Sequence, residues 1–185
     1  YNYHWNMKVI DLPGGYISPL SEDLLLITNG IGELFLYPTS GNKFIKLDSN
    51  LNKIYKEQNP PIQGKVNSEH IGSFSVKDLF YDSYSSVLYV SLYININENN
   101  PCYVPGIYKT EINQNINKIV NQKIIFEKFF VPEQCNFASN FNGHAGGGRI
   151  KKLNDNIIFT IGDLDLNLYG DEITRKIPRD NRSPV

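Results

Sequence analysis

The sequence predicts an all-β fold built as a β-propeller, on three observations. Aromatic residues make up 12% of the 185 residues, with 12 Tyr against one Trp, and such residues favour pleated, half-buried surfaces over helices. No segment keeps apolar residues at i, i+3, i+4 and i+7 for three turns, so almost no helix is expected. A unit of strand, Asp/Asn turn and apolar strand recurs at residues 17–28, 76–91 and 149–161. Regular strand-and-turn units of this kind characterise propellers, whose blades are four-stranded sheets. A β-sandwich is the competing arrangement, because the spacing between the repeats is irregular.

The first unit runs from Gly14–Ser18 into an apolar strand at Asp23–Thr28. Asn29-Gly30 then marks a hairpin turn with a slightly longer loop through Gly32, leading to a strand at Glu33–Tyr37. Lys43–Leu47 and Asn52–Tyr55 read as two weaker strands that complete a four-stranded sheet. Gln58–Pro61 is expected to be loop. The second unit begins at Val76–Phe80, turns at Asp82–Ser86, and continues through Val87–Tyr93, Ile107–Ile112 and Lys123–Phe129, with a polar loop at Asn95–Pro101. A third unit starts at Gly148–Ile150, turns at Asn154–Asn156 and continues through Ile157–Ile161. At ~45 residues per blade the chain supplies about three to four blades. Residues 1–185 are therefore expected to be part of a single propeller domain. The opening at Tyr1-Asn2-Tyr3 and the close in a loop at Arg182–Val185 suggest truncation at both ends.

Charge and hydropathy exclude several classes of partner. Eighteen basic and nineteen acidic residues give a formal net charge of -1. A nucleic-acid binder working through phosphate neutralisation needs a basic surplus, so no such partner is expected. Apolar runs such as Leu24–Ile27 fall far short of the ~20 residues that span a bilayer, so no membrane span is expected. Cys102 and Cys135 are too few for a metal site and too far apart for a CxxC motif. They form either one disulfide or two buried thiols. His4-Trp5 reads as packing and His70 as an exposed loop residue. Asp163, Asp165 and Asp171 lack the central Gly and final Glu of a calcium loop, so no metal site is assigned to them.

One stretch carries chemistry. In Asn142-Gly143-His144-Ala145-Gly146-Gly147-Gly148-Arg149-Ile150 the consecutive glycines let the backbone approach something flat or bulky. A phosphate loop would need Gly-Lys-Ser/Thr and a following helix, whereas Arg149-Ile150 leads into a strand. Downstream comes Thr160-Ile161-Gly162-Asp163. If these strands form a hairpin, Asp163 leaves its open end near the point where His144 enters. A carboxylate that accepts from one imidazole nitrogen leaves the other free to take a proton, which suits a general base and its orienting partner. The alternative is a His satisfied by backbone in a glycine-rich turn.

The segment Gly143–Ile150, followed by Ile157–Asp163, resembles the His-x-Gly-Gly-Arg … Tyr-x-Thr-x-Gly-Asp segment of the soluble pyrroloquinoline-quinone-dependent glucose and aldose sugar dehydrogenases, the glucose/sorbosone dehydrogenase family. Val76–Asp82 and Leu88–Ser91 resemble that family's "Asp-Val-Ala-Phe-His … Leu-Tyr-Val-Ser" blade, and Ile177–Asn181 resembles its "Ile-Pro-x-Asp-Asn-Pro" loop. This chain has three glycines before the Arg where the family has two, and it is shorter between Tyr169-Gly170 and Ile177-Pro178.

The resemblance implies a six-bladed propeller with the quinone on its axis, of which this chain is a fragment, inactive by itself. It implies oxidation of an aldose at the anomeric carbon, with hydride passing to the quinone. His144 would take the hydroxyl proton and Asp163 would orient His144. Pyrroloquinoline quinone and calcium are the implied cofactors, held mostly by residues outside this chain. An external electron acceptor and a periplasmic or secreted location follow from the same resemblance. A propeller that binds a sugar or protein partner without redox chemistry is the alternative function.

Overall fold

The computed structural model describes residues 15–41, 43–57, 76–97, 103–133 and 147–161. Strands β1 (Gly15–Pro19), β2 (Leu24–Asn29), β3 (Leu34–Pro38) and β4 (Ile45–Lys46) form one antiparallel sheet in that order. A second sheet follows in the same up-and-down order from β5 (Asp78–Asp82), β6 (Val87–Asn95), β7 (Tyr103–Glu111) and β8 (Glu127–Phe130). β9 (Gly147–Leu153) and β10 (Asn156–Ile161) pair as a hairpin. The fold is all-β in character, as the composition implies. No helix among the described residues is long and apolar enough to cross a membrane.

Turn chemistry holds where the sequence places it. Asn29 closes the β2–β3 connection by accepting from Glu33 N at 2.8 Å and donating to the Glu33 carboxylate at 2.7 Å. Gly32 sits there at φ +80°, a left-handed conformation that glycine adopts without a Cβ penalty. The β9–β10 connection is the two residues Asn154-Asp155, with Asn154 at φ 54°, which suits the twist of a tight hairpin.

Two expectations need correction. Asn52–Tyr55 is not a strand but part of helix α1 (Leu51–Glu57), and the first sheet's fourth strand shrinks to Ile45–Lys46. A second short helix, α2 (Ile116–Ile119), precedes β8, which itself starts at Glu127 rather than Lys123. Leu51, Ile54 and Tyr55 stand at i, i+3 and i+4 and are buried. That spacing spans too few residues to register as a three-turn pattern, and so short a helix owes its stability to the face it buries. α2 is fixed by its N-cap, Asn115, whose side chain accepts from Asn117 N at 3.0 Å.

Side-chain alternation explains how the layers stack. On β6, Leu88, Val90, Leu92 and Ile94 join Leu26, Leu34 and Leu36 of the first sheet in one core. Tyr89, on the opposite face of the same strand, packs with Ile107 and Ile150 in a second core against the hairpin. Strand β6 is thus covered on both faces, and all of it between its end residues is buried. The first two sheets meet at both edges. Tyr81 N donates to Ser18 Oγ at 2.9 Å where β5 lies beside β1. At the far edge Ile124 N donates to Asp48 O at 2.8 Å, and the Asn50 amide bonds Phe126 O at 3.0 Å and Phe126 N at 2.7 Å.

Candidate functional site

The two glycines that open β9 both have positive φ, +69° at Gly147 and +103° at Gly148. Gly148 passes directly over Lys77: a Cβ there would stand 3.1 Å from Lys77 Cγ and collide with Lys77 Cβ. Ser91 Oγ donates to Gly148 O at 2.5 Å and fixes the strand entry on β6. Here the glycine run serves close backbone approach, with another part of the same chain as the surface approached.

Arg149 and Asp78 form the next contact along the strand. Asp78 is buried and takes two donors, Arg149 Nη1 at 3.1 Å and Ile150 N at 2.7 Å. A buried carboxylate needs such donors, since leaving it bare would cost several kcal/mol by desolvation (~3 kcal/mol or more). The guanidinium lies 5.1 Å from the Tyr16 ring centroid, and Thr160 Oγ1 accepts from Arg149 N at 3.0 Å. Burial pushes the Tyr16 phenol up, and the Arg149 charge partly opposes it. The Asp78–Arg149 pair, 71 residues apart in sequence, joins the "Val-Lys-Asp-Leu-Phe" and "Gly-Gly-Arg" segments, the two stretches that carry the resemblance described above.

Beyond it, Lys152 Nζ donates to Asp82 Oδ2 at 2.6 Å, and Ser85 Oγ and Tyr84 N donate to the same carboxylate. Burial raises the Asp82 pKa, but these donors outweigh it and hold the carboxyl below the usual range. A depressed folded pKa gives stability that is present above the unfolded carboxyl value of ~4 and lost as pH falls through the folded one. Lys152→Met should therefore cost stability near neutral pH and little in strong acid. Denaturant unfolding at pH 6 and pH 3 checks this; an equal loss at both pH values would contradict it.

β1, β5 and β9 together line a cleft of about 700 Å³. Ile17, Pro19 and Phe80 give it apolar wall, while Asp78, Arg149 and Lys151 give it charge. Lys151 Nζ lies 5.7 Å from the Phe80 ring centroid. Among the described residues no group of three or more His, Cys, Asp or Glu is placed to hold a metal ion.

His144 and Asp163, the residues on which the sequence reading places the chemistry, lie outside the described residues, as do His4, Trp5, His70, Cys102, Cys135, Asp165, Asp171 and Ile177–Asn181. What is described is the frame beside them: Gly147, three residues after His144, pairs with Ile161, two residues before Asp163. Asp78, Lys77, Ser91 and Tyr16 are contacts that sequence reasoning assigned no role. A Lys-Asp pair interrupting an apolar strand pattern was the available signal for the first two. Ser91 ends the Leu88–Ser91 stretch that carries the resemblance, and nothing in the sequence marked Tyr16.

No family model matches the chain, and no curated protein matches it. Among solved structures it is similar to one named glucose dehydrogenase, with a TM-score of 0.53 and 15% identity over 83% of this chain and 42% of that one. A second, described as the crystal structure of glucose dehydrogenase, gives a TM-score of 0.55 and 14% identity over 83% of this chain and 39% of that one. The chain thus spans about two-fifths of the length of these structures, at 42% and 39%, and what it shares with them is the fold.

Proposed function

We propose that this chain is part of a β-propeller from a quinone-dependent dehydrogenase that oxidises the anomeric carbon of aldose sugars. The two four-stranded sheets are successive blades and the β9–β10 hairpin begins a third. Support comes from the stacking: β1 lies beside β5, and β5 beside β9, as inner strands do around a propeller axis. Ile158 on β10 is an exposed apolar residue, which suits covering by further blades.

The observation that carries the chemical reading is the pairing of Gly147 with Ile161. It makes the segments that lead to His144 and Asp163 leave the same end of one hairpin. On this reading His144 accepts the proton of the anomeric hydroxyl. Asp163 accepts from the other ring nitrogen, fixes the tautomer and stabilises the imidazolium that forms. The quinone, when bound, supplies the two-electron sink for the anomeric hydride, with calcium as its Lewis acid. The cleft has the volume of a small-molecule site, and Arg149 and Lys151 on its wall suit a ligand with carboxylates. Calcium ligands are expected in blades outside this chain. The reduced cofactor implies an external electron acceptor, and the family reading a periplasmic or secreted location.

The test is dye reduction by the full-length protein, supplied with pyrroloquinoline quinone and calcium, across a panel of aldoses. Turnover that requires the quinone supports the dehydrogenase. No turnover, with the quinone demonstrably unbound, sinks it and leaves a propeller used for recognition.

A further inference from the structure

Strands β1, β5 and β9 run side by side in the same direction. Tyr81 N donates to Ser18 Oγ, Arg149 Nη1 and Ile150 N donate to Asp78, and Lys152 Nζ donates to Asp82. Residue numbers therefore rise together along all three. The cleft of about 700 Å³ between them reaches past the ends of β1 and β5 to Ser21 and Ser83, and on β9 it begins at Arg149. It thus extends toward the Asn154-Asp155 turn and away from the end where Gly147 pairs with Ile161.

The charges on this wall do not balance. Its carboxylate, Asp78, is buried and already accepts from Arg149 Nη1 and Ile150 N. Lys151 is exposed and, among the described residues, makes no ion pair. Its Nζ stands 5.7 Å from the Phe80 ring centroid, on the cleft wall. Arg149 gives Nη1 to Asp78, and a guanidinium carries further N–H donors. Ser18 Oγ accepts from Tyr81 N, so its own hydrogen is left to donate. Ser21 and Ser83 add hydroxyls at the far end, and Pro19 and Phe80 give apolar wall. A complementary ligand carries a carboxylate for the ammonium, hydroxyls for the serines and C–H faces for the apolar wall. A neutral sugar leaves the surplus cation unmatched, and a bare phosphate leaves the serines and the apolar wall unmatched. We propose that this cleft is a binding site for a sugar acid, with Lys151 as the contact for its carboxylate. The volume suits a monosaccharide-sized ligand. The proposal stands apart from the dehydrogenase reading, which places its proton transfer on other residues.

The experiment is calorimetric titration of the full-length protein with D-glucuronate, D-glucose and inorganic phosphate. The two sugars share their ring hydroxyls and differ in charge. D-Glucuronate should bind saturably, and more weakly as salt is raised. Lys151 is exposed, so Lys151→Met should keep the fold. It should weaken D-glucuronate about tenfold, the worth of a hydrogen bond to a charged group, and leave D-glucose unchanged. Absence of saturable D-glucuronate binding overturns the proposal, as does an unchanged affinity in Lys151→Met. Phosphate binding as tight as that of D-glucuronate would reduce the cleft to a bare anion site and also overturn it. Displacement of D-glucuronate by pyrroloquinoline quinone would assign the same cations to the cofactor, with the same consequence. The dehydrogenase reading passes or fails separately, on quinone-dependent turnover.

Discussion

On the proposed dehydrogenase reading, His144→Ala in the full-length protein supplied with quinone and calcium is expected to lower kcat for aldose oxidation by roughly 10²–10⁴-fold, the usual contribution of a placed general base. Hydride departure from the anomeric carbon leaves a positive, strongly acidic hydroxyl, so without a base at that oxygen the two transfers cannot be concerted. On that reading the substitution removes the base and leaves the other substrate contacts in place, so KM should change far less than kcat. Steady-state kinetics of the wild-type protein and variant, with quinone occupancy checked by absorbance, provide the measurement. A loss below about tenfold at full occupancy would mean that His144 is not the base. Its partner should behave differently. Asp163→Asn keeps a hydrogen-bonding group of the same shape while removing the charge, so its defect should be substantial but smaller than that of His144→Ala.

Gly148→Ala should destabilise the protein by about 3 kcal/mol. One part is backbone strain, since a left-handed φ costs a residue with a Cβ ~1–2 kcal/mol, and Gly148 sits at φ +103°. The other part is overpacking, typically ~1–3 kcal/mol. The new methyl would meet Lys77 Cβ, an atom fixed to the backbone just before β5 and unable to swing away. Gly148 O also holds Ser91, so relief by backbone movement would break that bond. For a domain of 185 residues the loss would correspond to a fall in melting temperature of about 6–12 °C. In a full-length protein as long as the matched structure, of which this chain covers 42%, the fall would be about 3–5 °C. Thermal unfolding of the full-length protein checks it. A fall of less than about 2 °C would show that the entry to β9 is looser than its contacts imply.

These two positions mark how far the sequence could be read. Asn29-Gly30 and Asn154-Asp155 announced their hairpins because turn chemistry is local: the side chain and φ freedom of one or two residues decide it. The apolar run Val87–Tyr93 announced a buried strand for the same reason, since burial on both faces needs apolar side chains at successive positions. Helix α1 was not legible. Its three buried contacts, Leu51, Ile54 and Tyr55, fit a short strand about as well as a helix, and what selects the helix is the core it meets. The candidate site divides along the same line. Composition and turn signals determined an all-β chain of repeated strand-and-turn units, and the segment from His144 to Asp163 determined which chemistry to look for. Only the tertiary structure decided that Asp78 clasps Arg149 and that Gly148 lies on the buried Lys77. Such contacts join residues about seventy positions apart, and no local pattern encodes a partner at that distance; it is set when β9 packs against β5 and β6.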